Sequence, residues 1–234
     1  MITDIKAQVA QLTPVVAGEQ DMTYLKSTKL GALFTADWRE QMILAGLGYS
    51  VRCGGVTTSA DIAPILGGGS GTVIDAAQPE LIVGVDAGYY MIVMEAACSA
   101  YTIPASAAIT NIILYADRGF APGVGQQASA AIATPVNLLD GGPAFPGRGW
   151  QNASGDLAIS PICDELLDFV TSDIGGVAAS GMTALVLKLD YRPLAPSIIA
   201  GPCMIALLFG GTAATTGCGV IRFACVPSSY FPVS

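Results

Sequence analysis

The chain of 234 residues predicts an all-β fold, on three observations. Beyond residue 30, short apolar runs are separated about every dozen residues by Gly, Pro, Asn and Asp, the punctuation of strands and turns. Over the same stretch the three-to-four spacing of a helix nearly disappears. In "TALVLKLDY", Ala184, Val186, Lys188 and Asp190 share one face while Leu185, Leu187, Leu189 and Tyr191 share the other, the pattern of a half-buried strand.

Residues 1–28 read differently. Ile5, Val9 and Leu12 fall at helical spacing until Pro14 stops the pattern, and a polar stretch follows, so this segment is an N-terminal arm, extended or a short helix. The predicted strands then run through 30–38, 42–53, 71–75, 80–85, 89–101, 109–118, 130–136, 156–160, 182–191, 203–211 and 219–227, eleven candidates for eight to ten real strands. Between them "RGFAPGVGQQASA" and "LLDGGPAFPGRGWQNASGD" are long glycine- and proline-rich loops. One later helix is predicted near 161–174. Pro161 suits its start, Asp164 and Glu165 suit the positive N-terminal end, and Gly175 closes it. No composition break and no fixed repeat divides the chain after residue 30, so residues 29–234 form one domain. Many short strands with long connections at two ends describe a single antiparallel β-sandwich of jelly-roll type.

The composition narrows the function. Hydrophobic residues make up 52% and charged residues 12%, against about 25% charged in an ordinary soluble domain. Such a chain either enters a membrane or covers its surface with other protein. The charge-free run Pro193–Ile221 is broken by Pro193, Pro196, Pro202, Gly210, Gly211, Gly217 and Gly219, so no transmembrane span is expected. The N-terminus has Asp4 and Lys6 and no continuous apolar stretch, which predicts no secretory signal and a protein made in the cytoplasm. The six cysteines form no C-x-x-C pair, and most read as reduced, buried apolar side chains. A net charge of −8 argues against specific nucleic-acid binding. Five of the ten basic residues, Lys6, Lys26, Lys29, Arg39 and Arg52, lie in the first 52 positions, either as solvated charges or as a face for an acidic partner.

The chain has no histidine, which removes the Ser-His-Asp and Cys-His systems and the commonest general base. Asp164, Glu165 and Asp168 lie close together and suggest paired carboxylates, but an acidic helix start explains them as well. Asp86 and Glu95 interrupt apolar runs and are expected to point outward or cap a strand end. No calcium-loop sequence is present, and an ion site between subunits would draw on Asp117, Asp140 or Asp156. "NAS" at 152–154 matches a glycosylation sequon by chance. "GGGSGTVID" (67–75) lacks the lysine of a phosphate loop, and Gly67 to Gly71 read as a positional turn. The expectation is therefore no enzyme, with no catalytic residue, cofactor or metal.

"GTVIDAAQPELIVGVDAGYYMIVMEAACSAY", "NIILYADRG" and the closing "RPLAPSIIAGPCMIALLFGGTAATTGCGVIRFACVPSSYF" resemble the β-rich virion proteins of bacterial viruses, in particular small jelly-roll capsid and capsid-decorating proteins. The resemblance implies a non-enzymatic building block of the virion, a capsid shell or cement subunit. Such a subunit self-associates as a trimer or larger lattice and contacts other virion proteins. The alternative is a carbohydrate- or receptor-binding sandwich on a tail or fibre. Its aromatic platform would use Trp150 with Phe145, or Tyr89 with Tyr90; Trp150 also reads as a loop anchor packed on the sandwich.

Overall fold

A computed structural model describes residues 8–9, 26–27, 37–56, 62–63, 65–66, 78–102, 108–119, 131–151, 164–174, 185–211 and 215–230. Two antiparallel sheets pack face to face. Their strands are β1 (Gly48–Cys53), β2 (Ile65–Leu66), β3 (Leu81–Val85), β4 (Tyr89–Thr102), β5 (Ala108–Arg118), β6 (Ala131–Ile132), β7 (Val136–Asn137), β8 (Arg148–Gln151), β9 (Glu165–Ile174), β10 (Leu185–Tyr191), β11 (Ile198–Ala200), β12 (Cys203–Gly211) and β13 (Thr215–Pro227). The six-stranded sheet runs β6-β8-β3-β12-β5-β9. The seven-stranded sheet runs β7-β1-β13-β4-β10, with β11 also paired to β4 and β2 to β13. An all-β sandwich, as the sequence predicts, is the architecture.

The core between the sheets is built from the inward halves of alternating strands. Leu81, Val83, Ile112, Leu114, Ile205, Leu207 and Phe209 come from one sheet; Val51, Met91, Val93, Leu187, Leu189, Ile221 and Phe223 come from the other. Leu187 and Leu189 are buried while Val186, Lys188 and Asp190 are exposed, as the alternation of 182–191 requires. Near one end Tyr49, Phe145 and Phe223 form an aromatic cluster with centroids 5.2 to 5.9 Å apart.

Two expectations are corrected. The helix predicted near 161–174 is strand β9, laddered along β5 from Glu165↔Ala116 to Ile174↔Ala108. A register shift between Leu166 and Asp168 explains the false signal. The extra residue puts Leu166 and Phe169 opposite Tyr115 and Ile113 on the outer face, while Leu167 and Val170 pack on the core. A bulge thus converts a period of two into an i, i+3 pattern that reads as helical.

The single α-helix of the described residues is instead α1 (Trp38–Leu44), where a strand was expected from 42; of the strand expected at 30–38, residues 30–36 lie outside the described residues. Asp37 caps it, its Oδ1 accepting from the Arg39 N–H at 2.5 Å. Two turns are too short for helical periodicity to stand out. Trp38, Met42 and Ile43 pack on Ile92, Met94, Ala224 and Val226, so the helix covers one end of the outer face of the seven-stranded sheet.

Of the N-terminal arm, Gln8–Val9 and Lys26–Ser27 are described, and they pair as short parallel strands, which fits the extended reading of the arm and not the short helix. The strands expected at 71–75 and 156–160, and Gly67 to Gly71, lie outside the described residues. Among the described residues no helix is long and apolar enough to cross a membrane. Most of the run Pro193–Ile221 is taken up by β11, β12 and the first half of β13.

Candidate functional site

A trough of about 490 Å³ lies on the outer face of the seven-stranded sheet, beyond the part covered by α1. Strand register builds it. Val220 of β13 stands between Arg52 of β1 and Ala97 of β4, and Ala97 lies opposite Asp190 of β10; one row on, Cys218 and Ser99 lead to Lys188. The middle strands thus present small side chains and the outer strands long charged ones. Neighbouring strands are 4.7–4.9 Å apart, so three spacings separate the rims by ~14 Å.

Three cations, Arg52, Lys188 and Arg192, line the trough against one carboxylate, Asp190. Arg192 Nε donates to Asp190 Oδ1 at 3.2 Å, and its Nη2 donates to Glu95 Oε1 at 3.0 Å. Glu95 also accepts from Arg222 Nη1 at 3.1 Å, closing the end toward α1. A second bulge produces this arrangement. The ladder of β13 on β4 shifts between Arg222↔Glu95 and Phe223↔Val93, leaving Met94 as the extra residue. Met94 packs under α1, its carbonyl accepts from Arg39 Nε at 3.2 Å, and Glu95 is turned out to meet the arginines.

Beneath the floor the sandwich is tightly closed. Gly219 lies opposite both Cys53 and Cys98, and a Cβ there would run into Leu207 of the facing sheet. Burial pushes the Cys53 thiol up to about 12, helped by the nearby charge of Glu80, and raises Cys98 in the same way. Glu80 is itself buried, its Oε2 accepting the Phe209 N–H at 2.6 Å while its own N–H donates to Leu207 O at 3.1 Å. Its side chain thereby extends the β3–β12 ladder by one acceptor. Cys218, half-buried on the trough side, has its thiol raised by burial as well.

The sequence-level candidates do not converge. Trp150 is 6% exposed and packs with Ile82, Tyr115, Met204 and Leu208 on the outer face of the six-stranded sheet. Phe145 packs on Tyr49 and Phe223 in the other layer, so the two make no shared platform. Tyr89 packs on the core and Tyr90 is half-buried. Asp164 accepts the Arg118 N–H at 2.6 Å, and Glu165 takes the Arg118 guanidinium and the Ser197 hydroxyl, a clamp between strand ends. Burial pulls the Glu165 carboxyl upward, but the hydrogen bonds from Ser197 and Arg118 and the Arg118 charge outweigh it and hold the group below its ordinary value. Asp168 accepts its neighbour's N–H at 2.9 Å. Asp86 is exposed in the β3–β4 turn and Asp140 is exposed in a second turn, while Asp117 is buried. Among the described residues no three His, Cys, Asp or Glu side chains are grouped to hold a metal ion. Asp156 and the 152–154 sequon lie outside the described residues.

Sequence reading did not assemble the trough, although its outward residues Lys188 and Asp190 follow from the alternation of β10, and Arg52 belongs to the basic N-terminal set. In comparisons with known proteins, no family model and no curated protein matches the chain.

Proposed function

We propose that the chain is a structural virion subunit of a bacterial virus, a capsid shell or cement protein that assembles through low-charge interfaces. The observation that carries this reading is strand order. Among the described residues eight strands have five or more residues; counted in chain order, one sheet reads first-eighth-third-sixth and the other second-seventh-fourth-fifth. That order supports jelly-roll connectivity, the interlocked Greek keys that recur in viral shells.

Because one fold serves many functions, surface chemistry has to support the same reading. Large apolar side chains stand exposed along the sheet edges and turns: Leu194 at 95%, Ile132 at 77%, Val136 at 66%, Phe169 at 56% and Val186 at 54%. On a chain with few charges such groups favour protein contact. The edge strand β9 is guarded against open-ended ladder growth by its bulge and by Asp164 and Asp168, which favours defined side-chain interfaces over fibre formation.

Size-exclusion chromatography with light scattering tests the reading. Trimers or larger assemblies are expected, and a monodisperse monomer at high concentration would overturn it. A glycan array is expected to be blank for the full chain; specific sugar binding would favour the tail or fibre alternative, for which the burial of Trp150 offers little platform.

A further inference from the structure

We propose that the basic trough is the docking surface for a second copy of this chain, which inserts the acidic turns at one end of its sandwich. This rests on the self-association reading and adds, to its low-charge interfaces, one contact between two surfaces of opposite charge. The chain carries −8, so a trough lined by three cations and one carboxylate is a local inversion of its charge. Arg192 is engaged by Asp190 and Glu95, but Arg52 and Lys188 are exposed and have no partner among the described residues. A surface that keeps two unpaired cations beside a floor of Ala97, Ser99, Cys218 and Val220 fits a narrow anionic protrusion.

The same molecule supplies one. At the end where β3 turns into β4 and α1 leads into β1, Asp86 and Asp140 are exposed and have no partner among the described residues. Asp86 sits in a tight turn closed by Gly88 at φ +95°, and Asp140 precedes Gly141 at φ +73°. Both tips are small, and a trough ~14 Å between rims admits a turn of this kind. Two unlike patches meeting make a heterologous contact, which repeats around a ring or through a lattice instead of closing a two-fold pair. A nucleic-acid strand is the weaker occupant. Single strands are held by stacking on aromatic side chains, and no aromatic residue lines the trough.

Charge exchange tests the pairing on the full chain. One variant carries Arg52→Glu with Lys188→Glu, the other Asp86→Lys with Asp140→Lys; all four sites are exposed, and circular dichroism checks that each variant folds. Wild-type association, read by sedimentation velocity, should weaken as salt rises, and each variant alone should associate at least tenfold more weakly. A chain carrying all four substitutions should restore assembly, because every reversed trough then meets a reversed turn. Alkylation of Cys218, followed by peptide mass mapping, should slow in the assembled state. If the wild type assembles and the Arg52/Lys188 variant assembles equally well, the trough is not the interface although self-association stands. If both variants fail and the fourfold variant does not regain assembly, the acidic turns are not the occupant. If the trough variant loses only retention on single-stranded DNA, the partner is a nucleic acid. A monomeric wild type overturns the self-association reading itself.

Discussion

The outer faces of the two sheets are built to opposite plans. On the six-stranded sheet, Ile82, Tyr115, Met204, Ala206 and Leu208 are at most 2% exposed although they point away from the sandwich core, so β3 and β12 are buried on both faces. On the seven-stranded sheet, α1 covers Ile92, Met94, Ala224 and Val226, and the remainder is open, charged and concave. The difference is written in the strands themselves. "LIVGV" and "CMIALLFGG" are unbroken apolar runs, whereas "LVLKLDY" alternates, because alternation survives only where one face meets water. Part of the apolar excess that suggests interface surface is accordingly buried within the subunit.

The largest effect that separates the faces is a charge placed on each. Met204→Lys buries an unpaired ammonium and should cost about 4 kcal/mol, enough to unfold a marginal domain. Ala97→Lys, on the open face, should stay within about 0.5 kcal/mol. Denaturant melts of both variants measure the contrast, and equal losses would erase it. Gly219→Ala comes next. It adds a methyl under the trough against Leu207 and should cost about 1–3 kcal/mol by overpacking, with the denaturant midpoint as readout.

Smaller effects come from titration. Burial pushes Cys53, Cys203 and Cys225 to about 12, so the folded chain keeps protons that the unfolded chain releases from the ordinary thiol value of 9.0 upward. The thiols' contribution to stability should therefore be constant below that value and fall as pH rises through it, and Cys218 should be alkylated before these three thiols. The smallest effect is on the acid side. The Glu165 carboxyl is held below its ordinary value, so its contribution is present at neutral pH and is lost as pH falls through its lowered value. Ser197→Ala should shrink that acid-limb loss in a pH series of thermal melts, leaving the alkaline limb unchanged.

Several features were legible in the residues. The all-β character, the strands at 80–85, 89–101, 109–118, 182–191 and 203–211, and the half-buried β10 all follow from punctuation and alternation. What misled was local irregularity: the bulge at Leu167 gave β9 a helical spacing, and α1 was too short to show a period. The trough escaped because its rims lie on β1 and β10, about 135 positions apart in sequence and brought together by pairing through β13 and β4.

By itself, then, the sequence determined the class of structure, since backbone propensity and the period of apolar residues act over a few neighbouring positions. It also set the poverty of charge and the absence of histidine chemistry. Only the tertiary structure decided which strand faces are wet, because burial depends on what packs against a strand and not on the strand's own residues. It also decided where the few cations gather: Arg52 and Lys188 come to opposite rims of one trough, in adjacent rows, only after three strand pairings are made in the right register.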